Sequence, residues 1–107
     1  MKWIVETLNK KVDEELESLS PRLKAKFLHV ANLLESFGPS KVKEPYVKYI
    51  GHKLWEIRVK GPDNIARAIY ITTKPKRVVI LHVFIKKTQK TPSKNIELAL
   101  SRLKEVK

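Results

Sequence analysis

Three β-rich runs, LWEIRVK (54–60), IARAIYITT (65–73) and RVVILHVFI (77–85), follow one another with only GPDN and KPK between them. Gaps that short close hairpins but cannot hold the dozen residues of a parallel crossover, so the runs must pair antiparallel as a meander. GPDN supplies the residue types that a reversal needs. Within LWEIRVK the alternation sets Trp55, Ile57 and Val59 against Leu54, Glu56 and Arg58, the period-2 pattern of a strand buried on one face.

Helical patterns flank the meander. KWIVETL (2–8) reads as a first strand, and Asn9 as the cap of a short helix with Val12, Leu16 and Leu19 on one side. Ser20 as N-cap, Pro21 at the first helical position and Leu23, Phe27, Val30, Ala31, Leu34 and Phe37 at helical spacing define a second helix, which Gly38-Pro39 ends. SKVKEP (40–45) reads as a loop. Thr91-Pro92 or Ser93 starts a last helix with Ile96, Ala99, Leu100 and Leu103 on one face. The order β-α-α-β-β-β-α predicts an α+β fold in one domain over 1–107: an antiparallel sheet, a two-helix N-terminal hairpin packed on one face, and a C-terminal helix. The face opposite the hairpin is then the place for function.

Charge says what that face meets. Residues 1–40 hold six Lys/Arg and six Asp/Glu, and residues 41–107 hold the other 17 and five, so the whole formal excess of +12 lies in the second part. Segregated positive charge attracts polyanions, and a phosphate backbone is the usual one because each neutralised phosphate releases counterions. The chain has no cysteine, which removes disulfides and thiolate chemistry. No apolar run approaches the roughly 18 residues of a membrane span, and the charged N-terminus is unlike a signal peptide; a cytoplasmic protein without membrane contact is expected.

The candidate site residues follow from strand parity. Glu56 and Arg58 are expected to point away from the core, with His52 two steps back in the same register. Arg67 interrupts an apolar strand, where a charge is costly unless it meets an anion or forms a buried pair with Glu56. Lys86 and Lys87 end the fourth strand and must face opposite ways, and Lys90 follows. Carboxylates are too few in this region for a two-metal site, there is no P-loop or dinucleotide fingerprint, and His29, His52 and His82 are not at metal spacing; no metal and no cofactor is expected. His82, inside VVILHVF, reads first as a satisfied core histidine. What the cations suit is metal-independent RNA cleavage, in which arginine and lysine stabilise charge developing at a phosphate. Crowding of like charges eases deprotonation of a lysine, so Lys86 or Lys87 is a candidate base, with Glu56 and His52 as rivals.

EPYVKYI (44–50), KLWEIRV (53–59), the arginine of IARAIY and LHVFIKKTQKTP (81–92) together resemble the HigB-type, phage Gp49-like branch of the RelE/ParE toxin superfamily. The resemblance implies the toxin of a type II toxin–antitoxin pair: an endoribonuclease that cuts messenger RNA in the ribosome without metal. It also implies a hetero-oligomer with an antitoxin bearing a helix-turn-helix domain. By position it implies Arg58, Arg67, Lys86 and Lys87 at the scissile phosphate, with Glu56 and Lys48 nearby; the site expected is therefore Arg58, Arg67, Lys86, Lys87 and Glu56 as catalytic residues, with Lys48, His52, Lys53 and Lys90 holding RNA. Some relatives place a tyrosine just beyond the last strand, where this chain has TQKTPS. Two other readings are a ParE-like inhibitor of DNA gyrase and a non-catalytic nucleic-acid-binding module.

Overall fold

Apolar residues at helical spacing and alternating β-branched runs segregate into three helices and five strands. A computed structural model describes residues 2–43, 46–62, 64–86 and 91–106. In chain order the elements are β1 (Ile4–Thr7), α1 (Lys10–Glu17), α2 (Pro21–Phe37), a 3-10 turn (Pro39–Lys41), β2 (Val47–Gly51), β3 (Leu54–Lys60), β4 (Ile65–Thr73), β5 (Arg77–Lys86) and α3 (Ser93–Leu103). Both expected caps form: Asn9 accepts from the Val12 N–H at 3.1 Å and Ser20 from the Leu23 N–H at 3.3 Å. Each satisfies a backbone donor that the helix start leaves open. Gly38 ends α2 at φ 83°, and a Cβ there would meet the Trp3 indole nitrogen at 2.8 Å, so both conformation and space require glycine.

The sheet order is β1-β5-β4-β3-β2. The meander pairs antiparallel as expected, and the structure adds two features. Residues 47–51 form a further strand, β2, on the outer edge of β3. β1 lies parallel to β5, from Ile4 opposite Arg77 to Thr7 opposite Ile80, which makes the sheet mixed.

α1 and α2 bury Val12, Leu23, Phe27, Val30 and Leu34 against Ile57, Val59, Ala66, Ala68, Tyr70 and Ile80. α3 packs on the other face, where Ala99, Ile96, Leu100 and Leu103 meet Leu54, Ile69, Ile71, Val79 and Leu81. The second face is therefore covered in part, and Glu56 does not point away from the core as parity alone suggested: it is fully buried. Trp55, expected inside with Ile57 and Val59, is 37% exposed on β3, one strand in from the edge strand β2.

A β-bulge sets the register that matters most. Ile69 opposes His82 but Tyr70 opposes Ile80, so Leu81 and His82 both face α3. One extra residue reverses the parity of everything after it. Phe84 thereby opposes Arg67 and Lys86 opposes Ile65, which turns Lys86 to the α3 side of the sheet.

Candidate active site

Residues opposite one another on neighbouring strands share a face. On the α3 side this gives three successive rows: Lys48, Glu56, Ile69 and His82; Arg58, Arg67 and Phe84; then Lys60, Ile65 and Lys86. The second and third rows bring Arg58, Arg67 and Lys86 to one region of that face.

Their anchor is Glu56. Its Oε1 accepts from Arg58 Nε at 2.6 Å and lies 3.8 Å from Arg67 Nη1. Its Oε2 accepts from the Thr91 hydroxyl at 2.5 Å, and the same hydroxyl oxygen accepts from Arg67 Nη1 at 3.1 Å. One hydroxyl thus donates to the carboxylate and receives from the guanidinium, using its single hydrogen and a lone pair. A buried carboxylate persists as an ion only when its oxygens are satisfied in this way. Both oxygens of Glu56 accept hydrogen bonds and its side chain is fully buried, so in this structure it holds the two arginines in place.

Arg67 takes the second of the two readings the sequence offered, a buried pair with Glu56. It is 1% exposed, because Thr91 at the approach to α3 lies against it; the guanidinium sits below the surface. Burial pushes its pKa down, Glu56 opposes that, and the charge of Arg58 adds to it. An arginine remains charged regardless. Arg58 keeps 17% of its side chain exposed, and Glu56, Arg58 and Arg67 sum formally to +1. Lys86, two residues beyond Phe84 on the same face, adds a further cation.

The remaining candidates separate. Lys48 is exposed, directly across from Glu56. His52 and Lys53 form the two-residue turn between β2 and β3, with φ of 55° and 66°, so His52 is not in strand register with Glu56. They stand at the Leu54 end of β3, six residues or ~20 Å from the Lys60 and Lys86 row. Lys87 and Lys90 lie outside the described residues. Among the described residues no group of His, Asp and Glu is arranged to hold a metal.

Sequence reasoning missed a second polar cluster beside the first. β1 stops opposite Ile80, leaving the outer edge of β5 without a strand partner beyond it among the described residues. Side chains take over: Glu15 Oε1 accepts the Val83 N–H at 3.0 Å and Arg102 Nη1 donates to the Leu81 carbonyl at 2.8 Å. The two are themselves paired, Arg102 Nη2 to Glu15 Oε2 at 2.9 Å. His82 sits between Glu15 at 3.1 Å and Asn95 at 2.8 Å, the satisfied core histidine that the sequence suggested. Desolvation raises the Glu15 pKa, but hydrogen bonds from Arg102, Val83 and His82 outweigh it and leave it lowered. Asn95, Ala99 and Arg102 fall at helical spacing and are all buried, so the signal for this cluster was polar residues sharing a face with Ala99.

The comparisons with known proteins agree with this architecture. A family model described as phage-derived protein Gp49-like matches residues 14–104. The chain belongs to that family. It is a RelE-like toxin superfamily member by family and fold together. The archaeal RelE of the RelE–RelB complex from Pyrococcus horikoshii OT3 is 25% identical with a TM-score of 0.60, over 84% of this chain and 100% of that one. An arginine double mutant of the Escherichia coli toxin RelE in the free state superposes with a TM-score of 0.66 at 12% identity, over 96% of this chain and 99% of that one, a likeness of fold alone. No curated protein matches the chain.

Proposed function

We propose that this Gp49-like chain is the toxin of a type II toxin–antitoxin pair, a metal-independent endoribonuclease that cleaves messenger RNA on the ribosome in the cytoplasm. The observation that carries the reading is the buried Glu56 holding Arg58 and Arg67 side by side on the face that also bears Lys86. Cleavage requires the ribose 2′-oxygen to attack the adjacent phosphorus while the bond to the 5′-oxygen breaks, so negative charge grows on the non-bridging oxygens. Arg58 and Lys86 meet those oxygens, and Arg67 adds positive potential from below. Such cations contribute most when they are already in place before charge develops. On this reading the 2′-hydroxyl proton passes to water as the oxygen attacks, and the Lys86 ammonium protonates the departing 5′-oxygen. The partner in the RelE–RelB structure supports an antitoxin for this chain as well.

The test is cleavage of messenger RNA on programmed ribosomes by purified protein, with products mapped for 2′,3′-cyclic phosphate and 5′-hydroxyl ends. Arg58→Ala and Lys86→Ala should each lower the single-turnover rate roughly a hundred- to thousand-fold, the usual cost of one preorganised charge contact. Full-rate cleavage by a folded double variant would overturn the site. Inhibition of gyrase with intact messenger RNA would replace the reading with the ParE-like one.

A further inference from the structure

The β2–β3 hairpin carries aromatic surface that the cleavage site does not use. Tyr49 is 50% exposed and Trp55 37% exposed, and they are direct cross-strand partners with ring centroids 4.8 Å apart and planes at 58°. Both lie on the face of the sheet opposite Glu56 and Arg58, one residue out of register with them. The Lys53 N–H donates to the Tyr49 hydroxyl at 3.1 Å, which fixes the phenol ring across the turn. A cross-strand aromatic pair contributes to hairpin stability, but that role does not require both residues to be this exposed. The charges around the pair point further. From Tyr46 to Trp55 the sequence holds Lys48, His52 and Lys53 and no Asp or Glu. β2 ends the sheet, so Lys48 on one face and Tyr49 on the other meet at an open rim.

We propose that Tyr49 and Trp55 form a stacking platform for an unpaired base of single-stranded RNA, whose backbone is held by Lys48, His52 and Lys53. Single strands are bound by this combination, aromatic rings for the bases and a cationic rim for the phosphates. The platform lies toward the far end of β3 from Lys86, so it grips RNA away from the cut rather than at it. The proposal deepens the RNA-cleaving reading but does not depend on the chemistry.

The test uses the full chain with Trp3→Phe, which leaves Trp55 as the only indole. Poly(A) should quench Trp55 fluorescence, whereas heparin, a polyanion without bases, should bind and leave it nearly unchanged. In filter binding, Trp55→Leu should weaken poly(A) affinity roughly ten-fold, the scale of one lost base stack, and Trp55→Phe should restore most of it. Equal quenching by heparin, or unchanged poly(A) affinity of a folded Trp55→Leu protein, would overturn the platform. Quenching by the antitoxin and not by poly(A) would also overturn it and assign the surface to protein. The Arg58→Ala, Lys86→Ala double variant should retain poly(A) quenching, so loss of cleavage and loss of the platform register separately.

Discussion

Thr91→Val tests whether the hydroxyl before α3 holds the arginine cluster together. Valine keeps the β-branched shape and removes only the hydroxyl. Glu56 Oε2 loses its donor inside a site without solvent, and Arg67 Nη1 loses an acceptor. Hydrogen bonds to charged groups contribute about 1.5–3 kcal/mol each, and an unsatisfied buried charge costs more than the bond alone. Two such bonds, softened by some shift of the guanidinium toward Glu56 from its 3.8 Å separation, suggest a loss of about 3 kcal/mol. Urea unfolding reads it directly: with a slope of about 1.5 kcal/mol/M, the midpoint should fall by roughly 2 M. Thr91→Ser, which keeps the hydroxyl, should stay within about 1 kcal/mol of the parent. In a double-mutant cycle with Glu56→Gln the two costs should be strongly non-additive, because both substitutions break the same contact. A Thr91→Val protein within about 0.5 kcal/mol of the parent would refute the argument, since surface substitutions without a structural role already scatter that much.

Three further outcomes are expected. Glu15 has a folded-state pKa below its ordinary carboxylate value, so its contribution is complete above the unfolded pKa and disappears as pH falls through the folded one; stability measured from about pH 5 downward should decline less steeply in Glu15→Gln than in the parent. The Tyr70 hydroxyl is buried with no hydrogen-bond partner among the described residues, and burial pushes its pKa up; Tyr70→Phe should raise stability by about 1 kcal/mol in urea unfolding, and a loss of that size would reveal a partner. His52 and Lys53 hold positive φ at both central turn positions, which suits an Asn-Gly pair far better; the double substitution His52→Asn with Lys53→Gly should raise stability by about 1 kcal/mol, read as a higher melting midpoint.

The meander and both N-terminal helices were legible because their signals are local. Ser20-Pro21 and Gly38-Pro39 bracket α2, and the breaks after Lys60 and Thr73 are too short for anything but reversals. β2 was not legible, because VKYIG has too few residues and no second buried row to distinguish it from loop; its strand character depends on β3 beside it. The parallel placement of β1 is equally non-local. It follows from α1 and α2 returning the chain across one face so that β3, β4 and β5 form beside the first strand.

The site was legible in composition and illegible in depth. Arg58, Arg67 and Lys86 do share a face, yet strict alternation along β5 from Val79 and Leu81 would have turned Lys86 to the α2 side. The bulge at Leu81 and His82 reverses that, at the point where β1 has ended and Glu15 and Arg102 bind the Val83 N–H and the Leu81 carbonyl in its place. An ion pair between α1 and α3 thus grips β5 at the bulge that sets the side of the sheet on which Lys86 stands. Depth has the same origin. Parity assigns Glu56 and Arg67 to a face, but whether that face is open depends on Thr91, Asn95 and Arg102, polar residues along and just before α3 that cover it and bond to Arg67, His82 and the Leu81 carbonyl. The C-terminal helix covers the second face and binds β5 at the bulge that brings Lys86 to the α3 side, and Thr91 just before it supplies the hydroxyl between Glu56 and Arg67, so the cationic cluster and this C-terminal segment form one structural unit.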